Sequence, residues 1–505
     1  MTGTRGCVEQ GSEYQHAGRA HRPRPPCRTP TKGRSSLALV VILTAQLMFV
    51  LDITVVNIAL TQFQTSLGFS RTDLSWVMNA YTLTFGGLLL LGARAGDLYG
   101  RRNVFVGGLI VFTIASAAAG LATSPGMLLS ARAAQGVGAA LAAPSALALL
   151  MIGFSEGKER TRALGLYTAF SLAGSAIGLV LGGVLIEYLS WRWVFFINIP
   201  IGIVLVAVSG RALPATRRAR GRVDLPGAIS STIGMAALVY GLVRAASDGW
   251  RNTWALAAFI VGLILLAWFV AIERTATNPI TPLRLFASVD RVAAYVSRML
   301  LMGGVMGVFF FLTQFLQDVL HLSAVSTGLA FLPFTVTLFI TTQISTRWLV
   351  GRVDARLLMV GGMTLSAVGL MLLGRLGQAS GYGEVVCSLV ALAIGNGLAL
   401  VPLTAAALSG VAPEDSGAAS GLVNAAQQVG GSLGLAVLVS MFGVAARAHA
   451  AQGSGIHAFV YGADRAFVLS GVLVALATVP AAFIGTAGRG QGAVADLTVA
   501  LAEAG

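Results

Sequence analysis

Charge is scarce in this 505-residue chain: Asp, Glu, Lys and Arg together make up 11% of it. Soluble domains carry roughly 25%, so a water-facing globule is excluded. Cys7, Cys27 and Cys387 are too few and too scattered for a disulfide framework or a zinc site. The five histidines, His16, His21, His321, His449 and His457, form no paired His/Asp cluster and no HExxH spacing. A membrane-embedded enzyme is therefore a remote alternative, and no metal is expected. No Walker lysine motif occurs, which argues against an ATP-driven pump. Gly136 and Gly138 suggest a dinucleotide fingerprint, but Leu141 takes the place of its third glycine, inside an apolar run. No cofactor is expected. A sensor or receptor would need a soluble module, and none is present.

Long apolar runs fill the chain instead. Hydrophobic residues account for 56% of it, and the mean hydropathy is +0.80. A spanning helix needs about 20 apolar residues. Fourteen segments qualify: 37–60, 75–96, 103–122, 126–151, 162–186, 193–210, 225–245, 254–272, 292–316, 326–349, 357–375, 383–409, 419–443 and 466–487. An even number puts both termini on one side. With the termini inside, 23 basic residues fall in inner loops and tails. Six fall outside: Arg71, Arg192, Arg251, Arg375, Arg447 and Arg465. That distribution satisfies the positive-inside rule and explains the net charge of +14 without nucleic acid.

Residues 1–36 are polar and basic, with Pro23-Arg24-Pro25-Pro26 and no apolar period; they read as a disordered cytoplasmic tail. The run from Leu37 is long enough to span and reads as an uncleaved helix. The chain also repeats itself. One offset aligns Leu67-x-x-Ser70 with Leu320-x-x-Ser323, Tyr81-Thr82-Leu83-Thr84 with Phe334-Thr335-Val336-Thr337, and Arg94 with Arg347. A slightly larger one pairs Gly136-Val137-Gly138…Pro144 with Gly395-Asn396-Gly397…Pro402. Two duplicated bundles follow, as in secondary carriers with a site at the repeat interface. The expected organisation is a six-helix bundle over 37–210, a basic cytoplasmic loop at 211–224 and two extra helices over 225–272. A cytoplasmic loop at 273–291, a second six-helix bundle over 292–487 and a tail at 488–505 complete it.

Between the second and third runs lies Gly92-Ala93-Arg94-Ala95-Gly96-Asp97-Leu98-Tyr99-Gly100-Arg101-Arg102. This resembles the signature loop of the major facilitator superfamily. Leu51-Asp52-Ile53-Thr54-Val55-Val56-Asn57-Ile58-Ala59-Leu60 resembles the first-helix motif of its fourteen-spanner drug:proton antiporters. Leu129 through Gly136 is similar to their fourth-helix arginine motif, and Gly174 through Gly183 to their fifth-helix antiporter motif. Ser190 through Pro200, and Ser416 through Asn424 leading into Gln427–Gly431, also look like that family. Leu179 stands where the fifth-helix motif often has proline, and Val350 stands opposite Asp97 in the second repeat. The resemblance implies an all-α membrane protein with the major facilitator fold: two six-helix bundles plus two extra central helices, and about fourteen spans. It implies proton-coupled efflux of amphiphilic drugs or antibiotics by a functional monomer, with protons and the lipid bilayer as the other partners. Uptake symport of a small metabolite is the alternative; the fifth-helix glycines and the extra helices disfavour it.

Asp52 lies deep in an apolar run, where a charge costs about 2.5–3.5 kcal/mol to insert. Loss of water disfavours the charged form of a carboxylate, so this one can take up and release a proton. It can also attract a cationic drug, or simply form a structural salt bridge. Arg132 lies at similar depth and can stabilise the ionised carboxylate or bond backbone carbonyls. Gly92, Gly96, Asp97, Gly100, Arg101 and Arg102 form a cytoplasmic gate loop, or a topology signal alone. Gly174, Gly178 and Gly182 recur every four residues with Gly183 beside them: a close-packing face to which the resemblance adds prevention of proton leak. Asn57, Gln135, Arg298, Asn396, Asn424, Gln427 and Gln428 are candidates for a substrate cavity; the last three share a face at i, i+3, i+4.

Overall fold

A computed structural model describes residues 32–154, 158–215, 224–275, 283–350, 352–411, 415–449 and 455–485. It has fourteen helical segments long and apolar enough to cross a membrane. They are α1 (Ser36–Ile58), α2 (Ser75–Tyr99), α3 (Arg101–Gly120), α4 (Pro125–Gly153), α5 (Gly165–Tyr188), α6 (Trp193–Ala212) and α7 (Leu225–Asp248). Then follow α8 (Thr253–Thr275), α9 (Val289–Asp318), α10 (Ala324–Leu349), α11 (Ala355–Leu373), α12 (Tyr382–Leu408), α13 (Ala418–His449) and α14 (Gly455–Phe483). No β-strand occurs among the described residues; Val350 and Val353 form an isolated bridge. The expected tails at 1–36 and 488–505 lie almost wholly outside the described residues, as do parts of the loops at 211–224 and 273–291.

All fourteen expected spans are present, and one boundary differs substantially. The last helix begins at Gly455 rather than at 466. Its first turns carry Asp464 and Arg465, which depress hydropathy but do not break a helix, and Arg465 donates to the Tyr461 hydroxyl at 3.1 Å. Asp464 therefore joins Asp52 as an acidic residue inside a long apolar helix.

Small residues set the packing. α3 meets α4 through Gly108 and Gly138; a Cβ on Gly138 would lie 2.8 Å from the Gly108 carbonyl oxygen. α11 meets α12 in the same way through Gly362 and Gly395, and α9 meets α13 through Gly303 and Gly434. These partners correct one register of the internal repeat: Gly395 answers to Gly138 rather than to Gly136, which packs instead on Tyr81 and Thr84 of α2. α1–α6 pack among themselves and α9–α14 among themselves, while α2 runs along α13. α7 lies against α2 and α13, and α8 touches mainly α7. Only 11% of the apolar window of α8 is buried, so Leu256, Ile260, Leu263, Ile264 and Trp268 face outward, as lipid contact requires.

The two groups join firmly at the end that carries Arg71. There Arg71 pairs with Asp318 at 2.9 Å, Gln317 donates to the Ile58 carbonyl at 3.1 Å, and Thr61 bonds Gln317. The Glu187 carboxylate accepts from the Val325 amide at 2.9 Å. A cleft of about 520 Å³ opens there, lined by Arg71, Asp73, Arg244, Asp248, Arg447 and Phe459. α7 is pinned beside it: Ser247 hydrogen-bonds Thr72 at 2.9 Å, and its carbonyl accepts from Arg447 at 3.1 Å.

Candidate functional site

α4 starts with a capped turn: Ser124 accepts from the Met127 amide, and Pro125 occupies the first helical position. Seven residues further, Arg132 and Gln135 stand three apart on one face of the helix. That face meets α1, α2, α3 and α6 in the membrane interior. Arg132 Nη1 lies 2.5 Å from Asp52 Oδ2, and both side chains are almost wholly enclosed, at 2% and 0% exposure. Gln135 Nε2 donates to Asp52 Oδ1 at 2.8 Å and lies equally close to Ser116 Oγ on α3. Asn198 Nδ2 on α6 reaches the same Oδ1 at 2.9 Å. Arg132 Nε donates to the Val77 carbonyl at 3.1 Å, and its guanidinium stands 4.5 Å from the Tyr81 ring centroid.

Every lone pair of Asp52 engaged here faces a donor: one cationic, two amide. Charge-assisted hydrogen bonds are about twice as strong as neutral ones, so the Arg132 contact is the strongest of the three. Sequence reasoning paired Asp52 with Arg132 by depth. It missed Asn198 and Ser116 as partners and placed Gln135 in a substrate cavity, whereas the structure places it against Asp52. The available signal was positional: Asn198 lies near the start of α6, level with Asp52 near the end of α1. The enclosed carboxylate presents no surface to a cationic drug in this conformation.

Gly174, Gly178 and Gly182 lie against Leu47, Val50, Leu51, Thr54 and Val55 of α1, so α5 seats directly beside the Asp52 segment. Gly183 turns to the other group: a Cβ there would be 2.5 Å from the Ala324 carbonyl oxygen of α10. Gly328 of α10 returns the contact on the Leu179 carbonyl.

At the opposite end, α2 and α3 join through Gly100, whose φ of +91° is a left-handed conformation that favours glycine. Gly92 abuts the Ala140 backbone of α4, and Gly96 the Ser145 hydroxyl. Arg101 Nη2 lies 2.5 Å from Asp97 Oδ1, and Arg102 reaches the Gly210 carbonyl at 3.4 Å. In the second repeat Asp354 caps α11 through the Arg356 amide.

The remaining cavity candidates do not converge. Asn57 is buried and donates to its own helix at Ile53. Asn396 is buried with neither side-chain atom bonded. Asn424 is exposed and donates to Ser420. Gln428 sits against Gly86 of α2. Gln427 alone meets Arg298, accepting from Nη2 at 2.7 Å, while Nη1 reaches Thr404 of α12 at 2.9 Å.

The chain matches the profile of the Major Facilitator Superfamily over residues 42–228 and again over 218–435. It is 41% identical over 421 residues to the cephamycin export protein CmcT of Amycolatopsis lactamdurans, covering 82% of this chain and 87% of that one. It is 42% identical over 405 residues to the puromycin resistance protein pur8 of Streptomyces alboniger, covering 79% and 80%. In fold it resembles a bacterial homolog of the human lysosomal transporter Spinster, crystallised inward-facing and unoccupied. The TM-score is 0.65 at 15% identity, over 90% of this chain and 98% of that one.

Proposed function

Because this chain belongs to the major facilitator superfamily, and is thus a multi-pass membrane transporter rather than an enzyme, we propose that it exports amphiphilic drugs or antibiotics in exchange for protons. The observation that carries this reading is the enclosed Asp52–Arg132 pair with Gln135 and Asn198. Two relatives named for antibiotic export or resistance support the class of cargo.

A buried pair of this kind is a two-position device. With Arg132 in place, the guanidinium offsets the charge of the Asp52 carboxylate. Removing one partner of a buried pair costs about 3–5 kcal/mol, so a movement that withdraws Arg132 favours a proton on Asp52. One proton moving inward down a 100 mV potential releases about 2.3 kcal/mol, which drives the exchange. In this reading both termini are cytoplasmic and Arg71 marks the outer face. The contacts there close the outer side, and α5 against α10 is part of that closure. Asp97 and Arg101 act in the cytoplasmic latch.

The test is antibiotic accumulation in an efflux-deficient host expressing the chain. Accumulation should fall on expression and recover when a protonophore collapses the gradient. Accumulation that rises on expression would favour the uptake alternative and contradict export.

A further inference from the structure

Arg132 has a carboxylate opposite it; Arg298 has none. Arg298 stands nine residues in from the start of α9, about 14 Å along the helix. Its two hydrogen bonds go to neutral groups, Thr404 of α12 and Gln427 of α13. Its Nε has no acceptor, and no ion pair among the described residues includes it. The residue before it, Ser297, donates to the Ala477 carbonyl of α14 at 2.9 Å, which fixes the packed back of α9. Arg298 points away from that back, toward α12 and α13, and is only partly covered. Gln428, adjacent to its partner Gln427, touches Gly86 of α2, so this cationic corner lies beside the seam between the two helix groups.

A guanidinium in the membrane interior is costly unless something offsets its charge. Five N–H donors in a planar fork match a carboxylate or phosphate, and the structure occupies two of them with neutral acceptors. The Asp52–Arg132 pair cancels itself, which leaves Arg298 as the uncompensated charge of the two. A cationic ligand would be repelled there, and Asp52, sealed by three donors, offers it no alternative.

We propose that Arg298, Thr404 and Gln427 bind the anionic head of an amphiphile, so that the favoured cargo carries a carboxylate or similar oxyanion rather than a cation. This rests on the export reading above for the word cargo, and on the geometry alone for the site.

The test uses the full chain in phosphatidylcholine nanodiscs, titrated with three matched fluorescent probes: 1-pyrenebutyrate, its neutral amide and 1-pyrenebutylamine. The wild type should hold the carboxylate about tenfold tighter than the amide, a difference on the scale of one charge-assisted hydrogen bond, and the amine most weakly. Arg298→Gln should erase the carboxylate preference and leave amide affinity unchanged, while Arg298→Lys should keep part of it. Equal binding of all three probes by the wild type, or a carboxylate preference that survives Arg298→Gln, overturns the site. If the glutamine variant does not fold, the wild-type probe series and the lysine variant still decide. Repeating the titration with phosphatidylglycerol in the disc separates the sources of the anion. Unchanged pyrenebutyrate binding supports a free amphiphile. Displacement, with phosphatidylglycerol retained by wild type and lost from Arg298→Gln, assigns the site to a lipid head and overturns the cargo. Equilibrium binding needs no gradient, so failure of proton-driven export leaves this result standing, and the reverse.

Discussion

Gly183 and Gly328 are where one added methyl group should change the conformational balance of the transporter rather than its fold. A Cβ on Gly183 would meet only backbone: the Ala324 carbonyl oxygen at 2.5 Å, Val325 Cα at 2.7 Å and the Ala324 carbonyl carbon at 2.9 Å. One on Gly328 would meet the Leu179 carbonyl oxygen at 2.3 Å and Val180 Cα at 3.2 Å. Backbone within a helix cannot swing aside as a side chain does, so α5 and α10 must separate at the Arg71 end. Overpacking of this kind costs about 1–3 kcal/mol, and that cost falls only on the conformation closed at this end. The closed-to-open ratio should therefore drop roughly 5- to 150-fold. Gly174→Ala is the control, because its nearest neighbour is the flexible Leu47 side-chain tip at 2.9 Å on the neighbouring α1. Spin labels at Gly126 and Gln378, exposed positions at the same end of the two groups, report the separation by double electron–electron resonance, with the native cysteines replaced by serine. Gly183→Ala and Gly328→Ala should each shift the distance distribution to longer values, and Gly174→Ala should not. Identical distributions in all four proteins would refute the argument that this contact closes the outer side.

Further outcomes follow at the other end of the molecule. Asp97→Asn should slow transport several-fold while leaving the amount of protein in the membrane unchanged, since a half-buried pair at a helix edge contributes little to stability; immunoblot and efflux rate from the same cells check it. The Arg284 guanidinium, by hydrogen bonding and then by charge, holds the Asp415 carboxyl below the usual carboxylate range. A lowered folded value means this contribution is present above the ordinary aspartate range and lost as pH falls through the lowered one. The thermal midpoint of the wild type should thus drop toward that of Asp415→Asn below about pH 4. A gap between the two that stays constant from neutral to acidic pH would contradict the pairing.

How much of this was legible beforehand depends on the kind of signal. The spans were legible because apolar runs bounded by charged loops are a property of local composition; even the outward-facing α8 needed nothing more. The start of α14 was not, because Tyr461 to Arg465 look polar while nothing in them breaks a helix. Asp52 and Arg132 stood out as charges at equal depth in apolar helices. Gln135 and Asn198 did not declare their partner, because a neutral polar residue is compatible with several faces of a helix, and which helix lies opposite is a tertiary fact. The face shared by Asn424, Gln427 and Gln428 shows the same limit: the spacing is real, yet Gln427 meets Arg298, Gln428 meets Gly86, and Asn424 bonds its own helix. Glycines were legible as close-packing positions, but only the fold tells Gly182, which packs on α1, from Gly183, which packs on α10.

If Asp52 carries the exchanged proton, purified protein in liposomes with an imposed pH gradient will lose coupling when that carboxylate is replaced. Asparagine keeps the shape and some of the hydrogen bonds with Gln135, Asn198 and Arg132 but cannot change charge. Drug transport and drug-dependent proton movement should both be lost in Asp52→Asn, with drug binding retained, and Asp52→Glu should restore part of both with a shifted pH optimum. Full gradient-driven transport by Asp52→Asn would remove this carboxylate from proton coupling.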